Sequence, residues 1–184
     1  MCPICREKNS NTMKIKIILL LVIATLKLNA QNNSYAKSNL KIWKNAKSIT
    51  LAVANAMPED KYNYRPTEDV KSFGQQMAHI ANSMRSMEMR FLNDAGWNQS
   101  EPNANDMTKN ELIKFLESSF GQVIATIDAL SETDLTKAGK QFGDPALNKE
   151  QSIHFIYDHI TNHRAKAVLY LRLNKINPPA YRFN

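Results

Sequence analysis

Asp158-His159-Ile160-Thr161-Asn162-His163-Arg164 sets two histidines four residues apart in the last long segment with helical periodicity. Residues at i and i+4 lie one turn apart on the same helix face, so both imidazoles can reach one metal ion. Stepping about 100° per residue from His159, Ile153, Phe155, Ile156, Ile160, Ala167, Tyr170 and Leu171 fall in one band, with His159 and His163 inside it. His154 falls on the opposite side, toward solvent. The pair therefore faces a core, where a neutral imidazole needs a partner and a metal supplies one. Core histidines with ordinary hydrogen bonds give the same spacing, so the pair alone leaves both readings open.

Outward from that segment, three more stretches have helical period. Residues 37–57 carry Leu40, Trp43, Ala46, Ala54 and Met57, with Ile42, Ile49 and Val53 alongside. Pro58 ends them, since the residue before a proline avoids the helical region. Ser72-Phe73-Gly74-Gln75 fits a capping box and opens a helix expected to run to about Ala95. Its stripe is Phe73, Met77, Ile80, Met84, Met87 and Phe91, rich in adaptable methionine. His79 lies on the margin of that stripe, a position periodicity alone gives to the surface. Thr108-Lys109-Asn110-Glu111 is a second capping box, opening a helix to about Leu130 through Leu112, Phe115, Leu116, Phe120, Val123 and Ile127. Ser131–Asp134 predicts a short extra turn, and Asn148 caps the last helix, which runs to about Asn174. The tail 177–183 holds two prolines and cannot be helical there; its aromatics Tyr181 and Phe183 are expected to pack back on the helices.

No strand-like alternation, internal repeat, phosphate-binding glycine loop or nucleophile elbow occurs. The pattern predicts an all-α four-helix bundle with connections longer than the about 2–8 residues usual between paired helices, hence crossovers and room for a substrate cover. Tyr62, Tyr64 and Arg65 in the first connection either line a pocket or cap one end of the bundle.

The chain of 184 residues suits one domain, and 43% hydrophobic content suffices for a core. Its net charge of +7 is uneven. Residues 1–30 hold Arg6, Lys8, Lys14, Lys16 and Lys27 against Glu7, leaving +3 for the rest. That balance, without a basic run interleaved with aromatics, argues against nucleic acid as a partner.

Met13-Lys14-Ile15-Lys16, the apolar run 17–26 and Leu28-Asn29-Ala30 follow the order of a secretory signal peptide. The run is shorter than the about 20 residues of a membrane span. Residues 1–30 are thus read as a signal peptide, with 1–12 lying upstream of a true start at Met13, residues 31–36 as a linker and 37–184 as the folded domain. The expected location is exported and periplasmic, with no stable membrane span after signal removal. Cys2 and Cys5 fall in the upstream piece, so the mature chain would have no thiol and could hold a metal only through His, Asp or Glu.

Three segments together resemble the DinB-like (DinB/YfiT) four-helix bundle family. They are Met57–Pro66 running into Ser72-Phe73-Gly74, His79-Ile80, and His159–Lys166 followed by Tyr170-Leu171-Arg172. The resemblance covers nearly all of 37–183. It implies a divalent metal held by three histidines, one from the second helix and two from the fourth. By position these are His79, His159 and His163. The family often has Gln two residues after the Arg, where this chain has Lys166. Members of the wider family include thiol-dependent transferases and isomerases thought to activate a thiolate at the metal.

Three imidazoles leave coordination positions open, the layout of a catalytic site. Imidazole ligands suit Zn, Ni, Fe or Mn alike. The functional expectation is a metal-dependent enzyme, of thiol transferase or hydrolase type, acting on a small molecule. The alternatives are a non-catalytic metal- or ligand-binding envelope or stress protein, and a bundle whose histidines are only structural. Gln75, Asn82, Asp158, Asn162 and Arg164 are candidates for orienting the ligands. A homodimer is a further expectation, on general grounds only.

Overall fold

The computed structural model describes residues 14–16, 38–96, 99–139 and 147–181. The signal-peptide and linker readings lie outside these apart from 14–16. Among the described residues from 38 onward the elements are helices and turns. They are α1 over 38–56, α2 (Phe73–Phe91), α3 (Lys109–Ala129), the one-turn α4 (Glu132–Leu135) and α5 (Lys149–Leu173). Two 3-10 turns, Glu59–Lys61 and Ala104–Asp106, sit in the long connections.

Each helix from α2 on begins where its sequence says it must. Ser72, Thr108, Ser131 and Asn148 all accept from the N3 backbone N–H. The N3 side chains of Gln75, Glu111, Asp134 and Gln151 reach back to the cap N–H. Each box satisfies two donors that the first helical turn would otherwise leave unpaired.

α2 stops earlier than its periodicity predicts, at Phe91 rather than near Ala95. Asp94 adopts a left-handed φ of 53°, and the N–H groups of Asn93 and Ala95 turn back to the carbonyls of Glu88 and Met89. The buried Lys149 donates to the Leu92 carbonyl and pairs with Asp94. A cation on the last carbonyls is a favourable helix ending. Gly139 packs against this same corner. A Cβ there would lie 2.4 Å from the Phe91 carbonyl oxygen, so the close approach of the two backbones requires glycine.

The four long helices form a bundle in which α3 and α5 each pack on both α1 and α2. Trp43 of α1, fully buried, meets Phe120 of α3 and Tyr157 of α5 edge-on at 6.2 and 5.9 Å. α2 meets α3 and α5 along its length, through Phe73, Met77, Ile80, Ala81 and Met84, all at 0% exposure. The methionine stripe is core. Tyr62 and Tyr64 cap one end. The Tyr62 hydroxyl donates to the Ala54 carbonyl at 2.7 Å and its ring meets Phe73 edge-on; burial pushes its ionisation well above the usual tyrosine range. Tyr64 meets Tyr170.

Phe155 departs from its expected place in the core: it is half exposed, at 49%, and meets Phe91 edge-on. Tyr181 comes back beside α1 and α5 as expected, but stays 68% exposed; Phe183 lies outside the described residues. Among the described residues no helix is long and apolar enough to cross a membrane.

Because Trp43 joins α1 to both its neighbours, Trp43→Ala should cost about 3–5 kcal/mol of unfolding free energy. Urea denaturation followed by circular dichroism measures this directly.

Candidate metal centre

α2 and α5 meet along their buried stripes, and the site lies at the edge of that seam. Ile156, Ile160, Ala167 and Tyr170 anchor α5, which leaves His159 and His163 half-buried on the flank facing α2. On α2 the buried residues Gln76, Met77 and Ile80 set the register. His79, one turn beyond Gln76, is thereby aimed at the same place. The position that looked marginal by periodicity is marginal in fact, with 20% of the side chain exposed, but its margin is the one α5 covers.

One nitrogen from each of His79, His159 and His163 lies within 4.8 Å of the others. The ring centroids are 4.3 Å apart for His79 and His163, 4.8 Å for His159 and His163, and 5.3 Å for His79 and His159. The Nε2 atoms of His79 and His159 stand 3.3 Å apart. Two nitrogens at zinc-ligand distance from one tetrahedral ion would be about 3.4 Å apart. His154, the fourth histidine, is exposed and takes no part.

Two rings are held from behind. His79 Nδ1 lies 2.6 Å from a carboxylate oxygen of Glu101, and His163 Nδ1 lies 2.7 Å from Oε1 of Gln76. Both oxygens can only accept, so Nδ1 is the donor in each ring and the lone pair sits on Nε2; in His79 that nitrogen faces Nε2 of His159. A carboxylate or carbonyl on the far nitrogen is the usual support of a metal-ligating histidine. The supports are themselves tied down. Lys71 Nζ lies 3.3 Å from the second oxygen of Glu101. Gln76 Nε2 is 3.5 Å from the Tyr170 hydroxyl, which donates to the Lys71 carbonyl at 3.1 Å. The donor set and its orientation therefore fit a divalent ion.

His159 and His163 resist protonation. Burial first, then the neighbouring rings of His79 and His159, with Lys166 and Lys71 farther off, push His163 down to about 3. His159 is lowered by burial, His79 and Lys166 against the opposing Asp158. Neutral imidazole is the form that binds a metal.

The supporting residues are not those the sequence suggested. Gln75 belongs to the α2 capping box, and Asp158 and Asn162 point to solvent. Arg164 is buried on another face, bonded to Thr50 and Thr161. Asn82 forms no hydrogen bond with the histidines. Gln76 shares a helix face with His79 at i+3 and could have been found from that spacing. Glu101 gave no signal, since it reaches His79 from an irregular connection 22 residues on.

The model of the DinB superfamily matches residues 43–167. Two solved structures share the fold. A DinB-like protein from Bacillus cereus ATCC 10987 aligns with a TM-score of 0.66 at 12% identity, over 79% of this chain and 97% of that one. A DinB-like protein, YjoA, from Bacillus subtilis aligns with a TM-score of 0.64 at 15% identity, over 79% and 98%. No curated protein matches the chain.

A proton taken up at His163 near its ordinary value in the unfolded chain is refused by the native state until about pH 3. Between those limits the unfolded state binds more protons, so the metal-free protein should lose stability as pH falls. Melting temperatures from pH 7 to 4 should drop less steeply for His163→Gln than for the wild type. Equal slopes would contradict the assignment.

Proposed function

The chain belongs to the DinB superfamily, and on that premise we propose that it is an exported protein that holds one divalent ion through His79, His159 and His163. We further propose that it acts on a small molecule as a metal-dependent transferase or hydrolase. The observation that carries this reading is the convergence of three half-buried imidazoles, two of them with Nδ1 engaged so that Nε2 keeps the free lone pair. When bound, a divalent ion would supply Lewis acidity and lower the pKa of water or a thiol at a position the three ligands leave open. Zn, Ni, Fe and Mn all suit this donor set.

The protein's own residues do the rest. Glu101 and Gln76 orient His79 and His163 and raise their basicity. The low proton affinity of His159 and His163 keeps them available as ligands at neutral pH. Lys71 holds Glu101 against the edge of the site. Export favours water over a cytosolic thiol as the nucleophile, and so hydrolysis over thiol transfer.

One observation favours a second reading, a non-catalytic metal- or ligand-binding protein of the envelope. Glu101, the carboxylate at the site, is engaged on both oxygens, by His79 and Lys71. It is not free to serve as a general base.

Elemental mass spectrometry of the untagged protein should find about one divalent ion per chain, and none in a His159→Ala, His163→Ala double variant. Equal metal content in both would overturn the site. Glu101→Gln should weaken zinc affinity by about 10–100-fold with an unchanged circular dichroism spectrum. Turnover of ester, amide or thiol-acceptor substrates by wild type but not by the double variant separates the enzyme from the binding protein.

A further inference from the structure

On the side of α5 away from the histidines a cavity of about 350 Å³ opens between α1, α5 and the tail segment 178–181. Its walls are apolar, built by Ile49 and Val53 from α1, Val168 from α5 and Pro179 from the tail; Arg164 and Arg172 also line it. The size is at the lower end of small-molecule sites, about 300–1,000 Å³. Arg172 and Tyr181, both exposed, form the open rim.

Arg164 is what makes this more than a gap in the packing. The residue is 3% exposed, yet its hydrogen-bond partners are two neutral hydroxyls. Nη1 donates to Thr50 Oγ1 at 3.2 Å and Nη2 to Thr161 Oγ1 at 3.1 Å. The Thr50 hydroxyl in turn donates to the Ala46 carbonyl oxygen at 2.7 Å. Among the described residues no carboxylate lies within ion-pair range of Arg164 and no acidic side chain lines the cavity. A buried cation without a counter-charge is costly. A guanidinium offers five N–H donors in a fork matched to carboxylate geometry. Arg172, eight residues on, places a second positive charge along the same face of α5.

We infer that this cavity is a binding site for a small organic carboxylate with a short apolar body. The carboxylate pairs with Arg164 and Arg172, and the apolar part lies against Ile49, Val53, Val168 and Pro179. The site is separate from the histidine cluster. Stepping from His163 to Arg164 turns about 100° around α5, and the inference does not rest on metal binding.

Isothermal titration of the full chain with octanoate, 1-octanol and acetate tests it. Octanoate should bind with one site per chain, and octanol and acetate at least about tenfold more weakly, since one lacks the charge and the other the tail. Ala165→Trp, at an exposed position that lines the cavity, should abolish binding by filling the space. Arg172→Glu should weaken it at least about tenfold, and the His159→Ala, His163→Ala double variant should leave it unchanged. Octanol binding as tightly as octanoate, octanoate binding unaffected by Ala165→Trp and Arg172→Glu, or no heat up to about 5 mM octanoate, would each overturn the site. Arg164→Gln, with its melting temperature recorded, serves as a further check. If it folds it should lose octanoate binding, and retained binding would contradict the assignment.

Discussion

Two hydrogen bonds, Glu101 to His79 and Gln76 to His163, decide which way the ring nitrogens face. An acceptor on Nδ1 requires the proton there and leaves the lone pair on Nε2. Without those acceptors, rings this close could meet in several tautomers and share protons among themselves. With them, His79 and His163 keep their lone pairs on Nε2, and the cluster becomes a set of ligands. The seam between α2 and α5 has to be close enough to bring His79 across, yet near enough to the edge for an ion to reach it from solvent. Placing the histidines on the flanks of the buried stripes, not in their centres, meets both conditions.

That arrangement ties the site to the fold's long connections. Glu101 comes from the segment between α2 and α3, and Lys71 from the one between α1 and α2. Lys71 meets Glu101 through its side chain and Tyr170 through its carbonyl. Tyr170 in turn reaches Gln76, the support of His163. One network therefore links two connections, α2 and α5. A change in the position of the 92–108 connection would be felt first at His79.

The helices were legible in the sequence because their signals are local. Ser72 with Gln75, Thr108 with Glu111 and Asn148 are caps that act over three residues. The stripes of α2 and α3 need only periodicity. The histidine pair of α5 was legible for the same reason. His79 was not: its place depends on which neighbour covers the margin of α2, and only the likeness to a known family supplied it. Glu101 depends on the path of an irregular connection and left no pattern. The end of α2 was overrun because Lys149, more than fifty residues on, completes its terminus. Arg164 stands beside His163 in sequence, which suggests a supporting role. A step of one residue on a helix turns it onto a different face, toward Thr50 of α1.

The most direct measurement is a long-range ¹H–¹⁵N correlation spectrum of the four histidine rings, recorded without metal and with one equivalent of Zn²⁺. In the metal-free protein His79 and His163 should both be Nδ1–H tautomers. On adding zinc, the Nε2 signals of His79, His159 and His163 should shift together at one ion per chain, while His154 stays put. Nε2–H tautomers at His79 and His163, or zinc shifts that spare any of the three rings or fall on His154, would contradict a site built from these histidines.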